Sequence, residues 1–319
     1  MAELTFEELS SRLAVEGLHP LGGGASSLTY AGQLAGRPVV VKVAPAGVAP
    51  TGNRDVLRQS RIIKALNGTA IPVPGVLWED PGSPPEVPPL IVMSRLDGSS
   101  REPLFDFEDV AQSKPLVANL FRNAAAMMAG LHRIQPAEIG LAGEPVVTAG
   151  AEIDRWCRAL ETVEPALAPG WRDVGAALHA SLPPPLPPAL VHGDFRLGNL
   201  LAVGDRITGV IDWEIWSVGD PRVDAGWFLI NSDPLTYRRD TPCVGCTPPV
   251  DELARIYQAA MAVPLPDLDW FQALACFKSV ATWSLIVKHN RRRTRPEPAI
   301  EEVSDILPHL LSRARRYLH

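Results

Sequence analysis

The stretch VHGDFRLGNLL, residues 191–201, followed by GVIDWE, residues 209–214, constrains this 319-residue chain more than any other feature. Asp194 and Asn199 are separated by four residues, and Asp212 closes a strand-like run, 207–211, beyond a turn at Gly204-Asp205. An aspartate can accept a hydroxyl proton while the oxygen attacks. An asparagine oxygen and a second carboxylate suit Mg²⁺, which prefers hard oxygen ligands and keeps several waters. Base, amide and carboxylate in this order match the inventory that phosphoryl transfer requires in kinases. HGD alone could be turn chemistry. HGD with Asn at this spacing and a strand ending in IDWE is far more specific.

The surroundings read as two regions. Thr5 and Glu8 suggest a capping box, and Phe6, Leu9 and Leu13 share a helical face, so a helix is expected over about residues 5–15. Runs at 28–34 and 38–44 read as a hairpin joined at Ala35-Gly36-Arg37. A helix over 51–67 stops at Asn67-Gly68. Strands follow at 76–78 and 89–95, closed by a turn at Asp97-Gly98. Beyond it, helical spacing dominates 115–135, 150–163, 170–181, 251–262, 267–290 and 298–317. One β-rich island, 189–213, is entered through the Pro-rich run at 181–188. The pattern predicts an α+β chain of two lobes. Residues 1–97 form a small lobe with an antiparallel sheet, and residues 98–319 form a larger, mainly helical lobe.

In the small lobe, Gly22, Gly23 and Gly24 precede Ser26, Ser27 and Thr29. Glycines permit a tight turn, and backbone N–H groups with hydroxyls can meet phosphates. Lys42 is the odd residue in the apolar strand VVVKV, and a lysine so placed must find an anion.

These motifs resemble the aminoglycoside phosphotransferase and choline kinase superfamily, relatives of the protein kinases. Its members carry HGD in place of HRD, and ID-W/F-E/G in place of DFG. The stretch is most similar to the kinase-like domains found beside acyl-CoA dehydrogenases. The resemblance runs from about residue 18 to about residue 290 and implies a protein-kinase-like fold. It makes Asp194 the catalytic base and gives Asn199 and Asp212 the metal, Mg²⁺. It gives ATP, or GTP, to Gly24, Ser26, Ser27 and Lys42, with main-chain contacts at Ser94 and Leu96. His192 would support the catalytic loop, and Asp224 in GDPRVDAGWFL would brace it. Arg196 could meet phosphate or pair with a carboxylate. One departure concerns the helix after the lysine strand. Where the family pattern wants a Glu to pair with the lysine, this chain has Gln59, with Asp55 one turn earlier as a substitute. The short span from Asp212 to Asp220 leaves no activation segment of protein-kinase length, which favours a small-molecule enzyme.

A net charge of −6 argues against nucleic acid as the main partner. No membrane span is expected, and the acidic, amphipathic opening reads as cytoplasmic. Cys243 and Cys246 form a CxxC in a Pro-rich loop, where an ordinary loop, a disulfide or a weak metal site are the alternatives. The expected partner is a small molecule bearing a hydroxyl. Trp213, Trp216, Trp227, Phe228, Tyr237 and Trp283 mix with Arg238, Arg239, Lys288 and Arg291–Arg293 in the acceptor regions. That mixture suits a hydroxyacyl-CoA, or another anionic and partly apolar metabolite, better than a polycation. Glu214, Trp216 and Arg196 are the candidate acceptor contacts. An aminoglycoside or macrolide phosphotransferase and a catalytically weak nucleotide-binding pseudokinase are the alternatives. The tryptophans could equally pack the core.

Overall fold

Alternation along a single strand sets up the first half of the molecule. In the computed structural model, which describes residues 6–21, 27–105 and 114–319, the segment Arg37–Val43 is a strand with Val39, Val41 and Val43 buried on one face. Val40 and Lys42 fall on the other face. The valines join Leu9, Leu13, Val15, Tyr30, Leu90 and Val92 in one core. A fully buried side chain of this size contributes about 1.5–3 kcal/mol, so this patch is what holds the first helix onto the sheet.

The chain divides into two compact units. The first comprises the described residues up to Arg101 with Ile139–Leu141 and Gly198–Trp216. It holds α1 (Phe6–Leu13), β1 (Val15–Pro20), β2 (Leu28–Leu34), β3 (Arg37–Val43), α2 (Val56–Leu66), β4 (Val76–Asp80) and β5 (Leu90–Ser94). The five strands form an antiparallel sheet in the order β1-β2-β3-β5-β4.

The second unit comprises the described residues of Glu102–Glu138 with Ala142–Leu197 and Ser217–His319. It carries α3 (Lys114–His132), β6 (Val146–Val147), α4 (Ala149–Glu161), α5 (Trp171–Ala180) and β7 (Ala189–Val191). β8 (Leu200–Val203) and β9 (Arg206–Val210) form a hairpin that belongs to the first unit. The second unit then resumes with β10 (Ser217–Gly219), α6 (Arg222–Ser232), α7 (Pro234–Tyr237), α8 (Val250–Met261), α9 (Leu268–Asn290), α10 (Pro298–Glu301) and α11 (Leu307–Tyr317). Its small sheet runs β6-β10-β7.

α9 is the axis of the second unit. Helices α4, α5, α6 and α11 pack on it around Phe271, Leu274, Phe277 and Val280. By length and composition α9 could cross a membrane, but 78% of its most apolar stretch is buried inside the fold. Gly226 permits a close crossing of α6 and α9: a Cβ there would lie 2.3 Å from the Phe271 carbonyl oxygen. This is an antiparallel sheet unit followed by a mainly helical one, the α+β class that the residue pattern implies.

Three elements depart from the residue pattern. Residues 15–20 form β1, a strand the pattern did not mark. It is mostly exposed, carries Gly17 at a φ of +62°, and shifts register between Glu16 and His19. The expected helix over 298–317 is broken into α10, a 3-10 turn at Glu302–Ile306, and α11, where Pro308 cannot continue a preceding helical ladder. α6 carries no amphipathic signature because ten of its eleven residues are buried. The proposed capping box at Thr5 lies outside the described residues. Cys243 and Cys246 form no disulfide and lie at a short 3-10 turn, with Cys246 N–H donating to Cys243 O.

Candidate active site

The first unit gathers Lys42, Gln59, Asn199 and Asp212. β3 points Lys42 away from the valine core, toward the side on which Gln59 of α2 is buried. Lys42 Nζ donates to Gln59 Oε1 at 3.1 Å and to Asp212 Oδ1 at 2.7 Å. Asp55 has a different task. It is the N-cap of α2 and accepts from Arg58 N–H at 3.0 Å. Among the described residues, Gln59 Nε2 is a buried donor without a hydrogen-bond partner. Such a group costs free energy unless something accepts from it.

Asp212 follows the β8–β9 hairpin. Ile211 N–H donates to the Asn199 carbonyl at 3.0 Å, which sets the two candidate metal residues side by side along the backbone. Asp212 has a φ of +65°, a conformation that residues other than glycine adopt rarely and that recurs at functional positions. Its carboxylate is one-third exposed and already draws a cation, Lys42. The donor set is one carboxylate and one amide. It fits Mg²⁺ in the way that ion binds beside substrate phosphates, through few protein ligands. No group of three His, Cys, Asp or Glu residues suited to a closed metal site occurs among the described residues.

The second unit gathers a network around Asp194. Gly193 takes a φ of +87°, which a side chain would strain, and this turns the HGD segment between β7 and the loop. Asp224 of α6, fully buried, accepts from His192 N–H at 2.6 Å, Gly193 N–H at 2.8 Å and His132 Nε2 at 3.2 Å. Burial alone would push its carboxyl up, but the hydrogen bond from His132 and the pull of His132 and His192 hold it below the usual carboxylate range. His192 is buried, and its Nδ1 accepts from Asp194 N–H at 3.2 Å.

The Asp194 side chain meets two further groups. Trp227 Nε1 donates to Oδ1 at 2.7 Å, and Arg196 Nε lies 3.2 and 3.3 Å from the two oxygens. Arg196 also pairs with Glu102, so of its two readings the carboxylate partner is the one seen. Lys278 of α9 is buried, donates to the Gly193 carbonyl and sits 3.9 Å from the Trp227 ring centre. Burial lowers its pKa, while Asp194, Glu152 and Asp224 pull the other way.

The remaining sequence candidates are scattered. Ser27 is buried at the start of β2, whereas Gly24 and Ser26 lie outside the described residues. Ser94 ends β5 and accepts from Gly75 N–H through its Oγ at 2.8 Å. Leu96 packs on Gly209. Glu214 is half-buried in a turn.

Trp216 is corrected. It is 1% exposed, its Nε1 donates to the Arg58 carbonyl at 3.1 Å, and Arg58 lies over its ring at 4.3 Å, leaving no open face for an acceptor. Arg291 pairs with Glu164 and Glu301, and Arg293 with Glu297, so these arginines are tied to surface carboxylates. Sequence reasoning did not single out Lys278, Trp227 and Glu102 as partners of the HGD loop. Lys278 had a signal, since it stands alone in the apolar run LACFKSVATW just as Lys42 does in VVVKV.

Comparison with known proteins places this arrangement. The chain is 25% identical over 281 residues to mouse acyl-CoA dehydrogenase family member 10, covering 84% of this chain and 26% of that protein. It therefore spans about a quarter of that relative's length. It is 30% identical over 182 residues to viomycin phosphotransferase of Streptomyces vinaceus, covering 54% of this chain and 59% of that enzyme. A crystal structure from Ralstonia eutropha, provisionally assigned as an aminoglycoside phosphotransferase, superposes with a TM-score of 0.76 at 19% identity, covering 99% and 98% of the two chains. A thermostable mutant of the aminoglycoside phosphotransferase APH(4)-Ia, in a ternary complex with ADP and hygromycin B, gives 0.61 at 16% identity over 98% and 97%. The family model of the phosphotransferase enzyme family matches residues 17–274, which takes in Lys42, Gln59, the HGD loop, Asp212 and α6, and the chain belongs to that family.

Proposed function

We propose that the chain is a small-molecule kinase that transfers the γ-phosphate of ATP, or of GTP, to a hydroxyl of its acceptor. The observation that carries this reading is the link from Lys42 to Asp212, in a chain that also keeps Asp194 and Asn199 at the motif spacing. Lys42 would hold nucleotide phosphate, and Gln59 would keep its ammonium aimed while Nε2 offers a buried donor to an anionic oxygen. Asn199 and Asp212 would hold Mg²⁺, which supplies charge neutralisation at the phosphates. Asp194 would take the acceptor's hydroxyl proton as its oxygen bonds to phosphorus and the bond to the β-phosphate oxygen breaks. Ser94 and Leu96 would offer main-chain groups to the base, with Gly24, Ser26 and Ser27 over the phosphates.

For the acceptor, an anionic and partly apolar metabolite such as a hydroxyacyl-CoA is the preferred class. Support comes from partly exposed aromatics in the second unit. Phe105 stacks on Trp283 with ring centres 6.5 Å apart, and Arg239 lies 4.8 Å over Phe105. The similarity to an acyl-CoA dehydrogenase family member points the same way. An antibiotic phosphotransferase is the second reading, favoured by the 30% identity to viomycin phosphotransferase. A screen of Mg·ATP consumption over hydroxyacyl-CoAs, aminoglycosides, macrolides, choline-like amines and sugars decides between them. Turnover with hydroxyacyl-CoAs is expected. Turnover with an antibiotic alone would move the assignment to the second reading.

A further inference from the structure

A base is useful only if its carboxylate is held toward the hydroxyl, and Asp194 is held by Trp227 at Oδ1 and by Arg196 across both oxygens. Trp227 Nε1 donates to Oδ1 at 2.7 Å. Trp227 is 7% exposed and lies on α6, three residues from Asp224 and next to Gly226 at the α6–α9 crossing. α6 thus holds the HGD segment twice: through Asp224 on the backbone N–H groups of His192 and Gly193, and through Trp227 on the Asp194 side chain. Lys278 of α9 lies beneath, donating to the Gly193 carbonyl with its ammonium against the Trp227 face at 3.9 Å and facing Trp156 of α4 at 5.8 Å. A buried ammonium needs such partners, since burial without them is costly. The lysine, the indole and the aspartate therefore form a stack that runs from the core of the second unit to the carboxylate.

We infer that Trp227 is a positioning residue for Asp194, its indole N–H anchoring Oδ1 and so setting the orientation of the carboxylate that meets the acceptor hydroxyl, and that Lys278 fixes the indole and the Gly193 carbonyl beneath it. The inference rests on the kinase reading above for its consequence in catalysis, and on geometry alone for the contact. Charged groups facing Asp194 come from every side of the network. Arg196 and His192 lie on its own loop, Glu102 stands behind Arg196, and Lys278 comes from α9, itself drawn by Asp224 of α6 and Glu152 of α4. The N–H of Trp227 is a donor to the charged form that carries no charge itself, so its removal is a clean perturbation.

The test uses the full chain labelled with 5-fluorotryptophan, with the Trp227 resonance assigned by Trp227→Phe. In wild type this ¹⁹F signal should titrate with pH, and Asp194→Asn should abolish the titration. A signal indifferent to both overturns the contact. In parallel, Mg·ATP turnover, with water as acceptor if no better one is known, is followed against pH. Trp227→Phe should lower kcat about 10- to 100-fold, as loss of a hydrogen bond to a charged group does. The KM for ATP should stay within twofold, and the acid limb of the kcat profile should move to higher pH. Lys278→Met, which keeps the volume, should lower kcat in the same direction. Unchanged kcat and an unchanged acid limb in Trp227→Phe overturn the positioning role. Absence of turnover in wild type would sink the kinase reading, while the ¹⁹F titration still decides the contact.

Discussion

Lys42 is the residue around which the first unit is decided. A lysine in a valine strand is a local conflict, and the structure resolves it with an amide at 3.1 Å and a carboxylate at 2.7 Å. The amide matters because Gln59 brings no charge. It orients the ammonium without adding a second carboxylate beside Asp212, whereas a glutamate would do both. Asp55 is occupied at the helix N-terminus. Gln59→Ala should therefore weaken Mg·AMP-PNP binding about 3- to 10-fold by calorimetry, as loss of one hydrogen bond does. Asp55→Ala should leave Kd within twofold and instead cost about 1 kcal/mol of stability through the lost cap. The reverse order would give the positioning role to Asp55. At this scale the sequence was highly legible where a residue contradicts its surroundings, as Lys42 does. It was poorly legible where a role depends on a distant neighbour. Nothing within ten residues of Trp227 announces that its indole meets Asp194, thirty-three positions away.

Elements explain where legibility stopped. An apolar run exposed β3, and helical spacing with a stop signal exposed α2, whose apolar residues share one buried face. α6 buries nearly all of its surface, so it has no polar side from which to read a period. β1 fails for the opposite reason: an edge strand with one buried residue and a register shift has almost no pattern. The α6–α9 crossing gives an element-scale prediction. Gly226→Ala places a methyl 2.3 Å from the Phe271 carbonyl oxygen, a backbone atom that cannot rotate away. The helices must separate, at a cost of about 1–3 kcal/mol, measurable as a lower midpoint in urea unfolding. Because α6 carries Asp224 and Trp227, ADP formation should fall as well. A neutral outcome in both would mean the crossing is looser than the backbone contact implies.

At the scale of the molecule, buried titratable groups link stability to pH. Cys276 on α9 is fully buried, and burial pushes its thiol up to about 12, against about 8.5 for an unfolded cysteine. The folded state thus prefers the neutral thiol. That contribution is fully present below pH about 8.5 and is lost as pH rises toward 12, at about 1.4 kcal/mol per unit. Cys276→Ala should therefore lose less stability than wild type between pH 8 and pH 10, when both are compared by urea unfolding. Equal slopes would show that the thiol is not sealed from solvent. The motifs spelled out the fold class and the phosphotransferase family because the HGD loop and the IDWE strand end sit within one short span of chain. The acceptor did not emerge because its candidate groups come from separated helices, and several proved to be packing or ion-paired residues. The most direct test of the whole account compares wild type with Asp194→Ala for ADP formation from Mg·ATP and the best acceptor found, with nucleotide Kd measured on both. The account predicts a fall in kcat of about 10²- to 10⁴-fold with nucleotide Kd changed by no more than a few-fold. Equal turnover in the two proteins would contradict it.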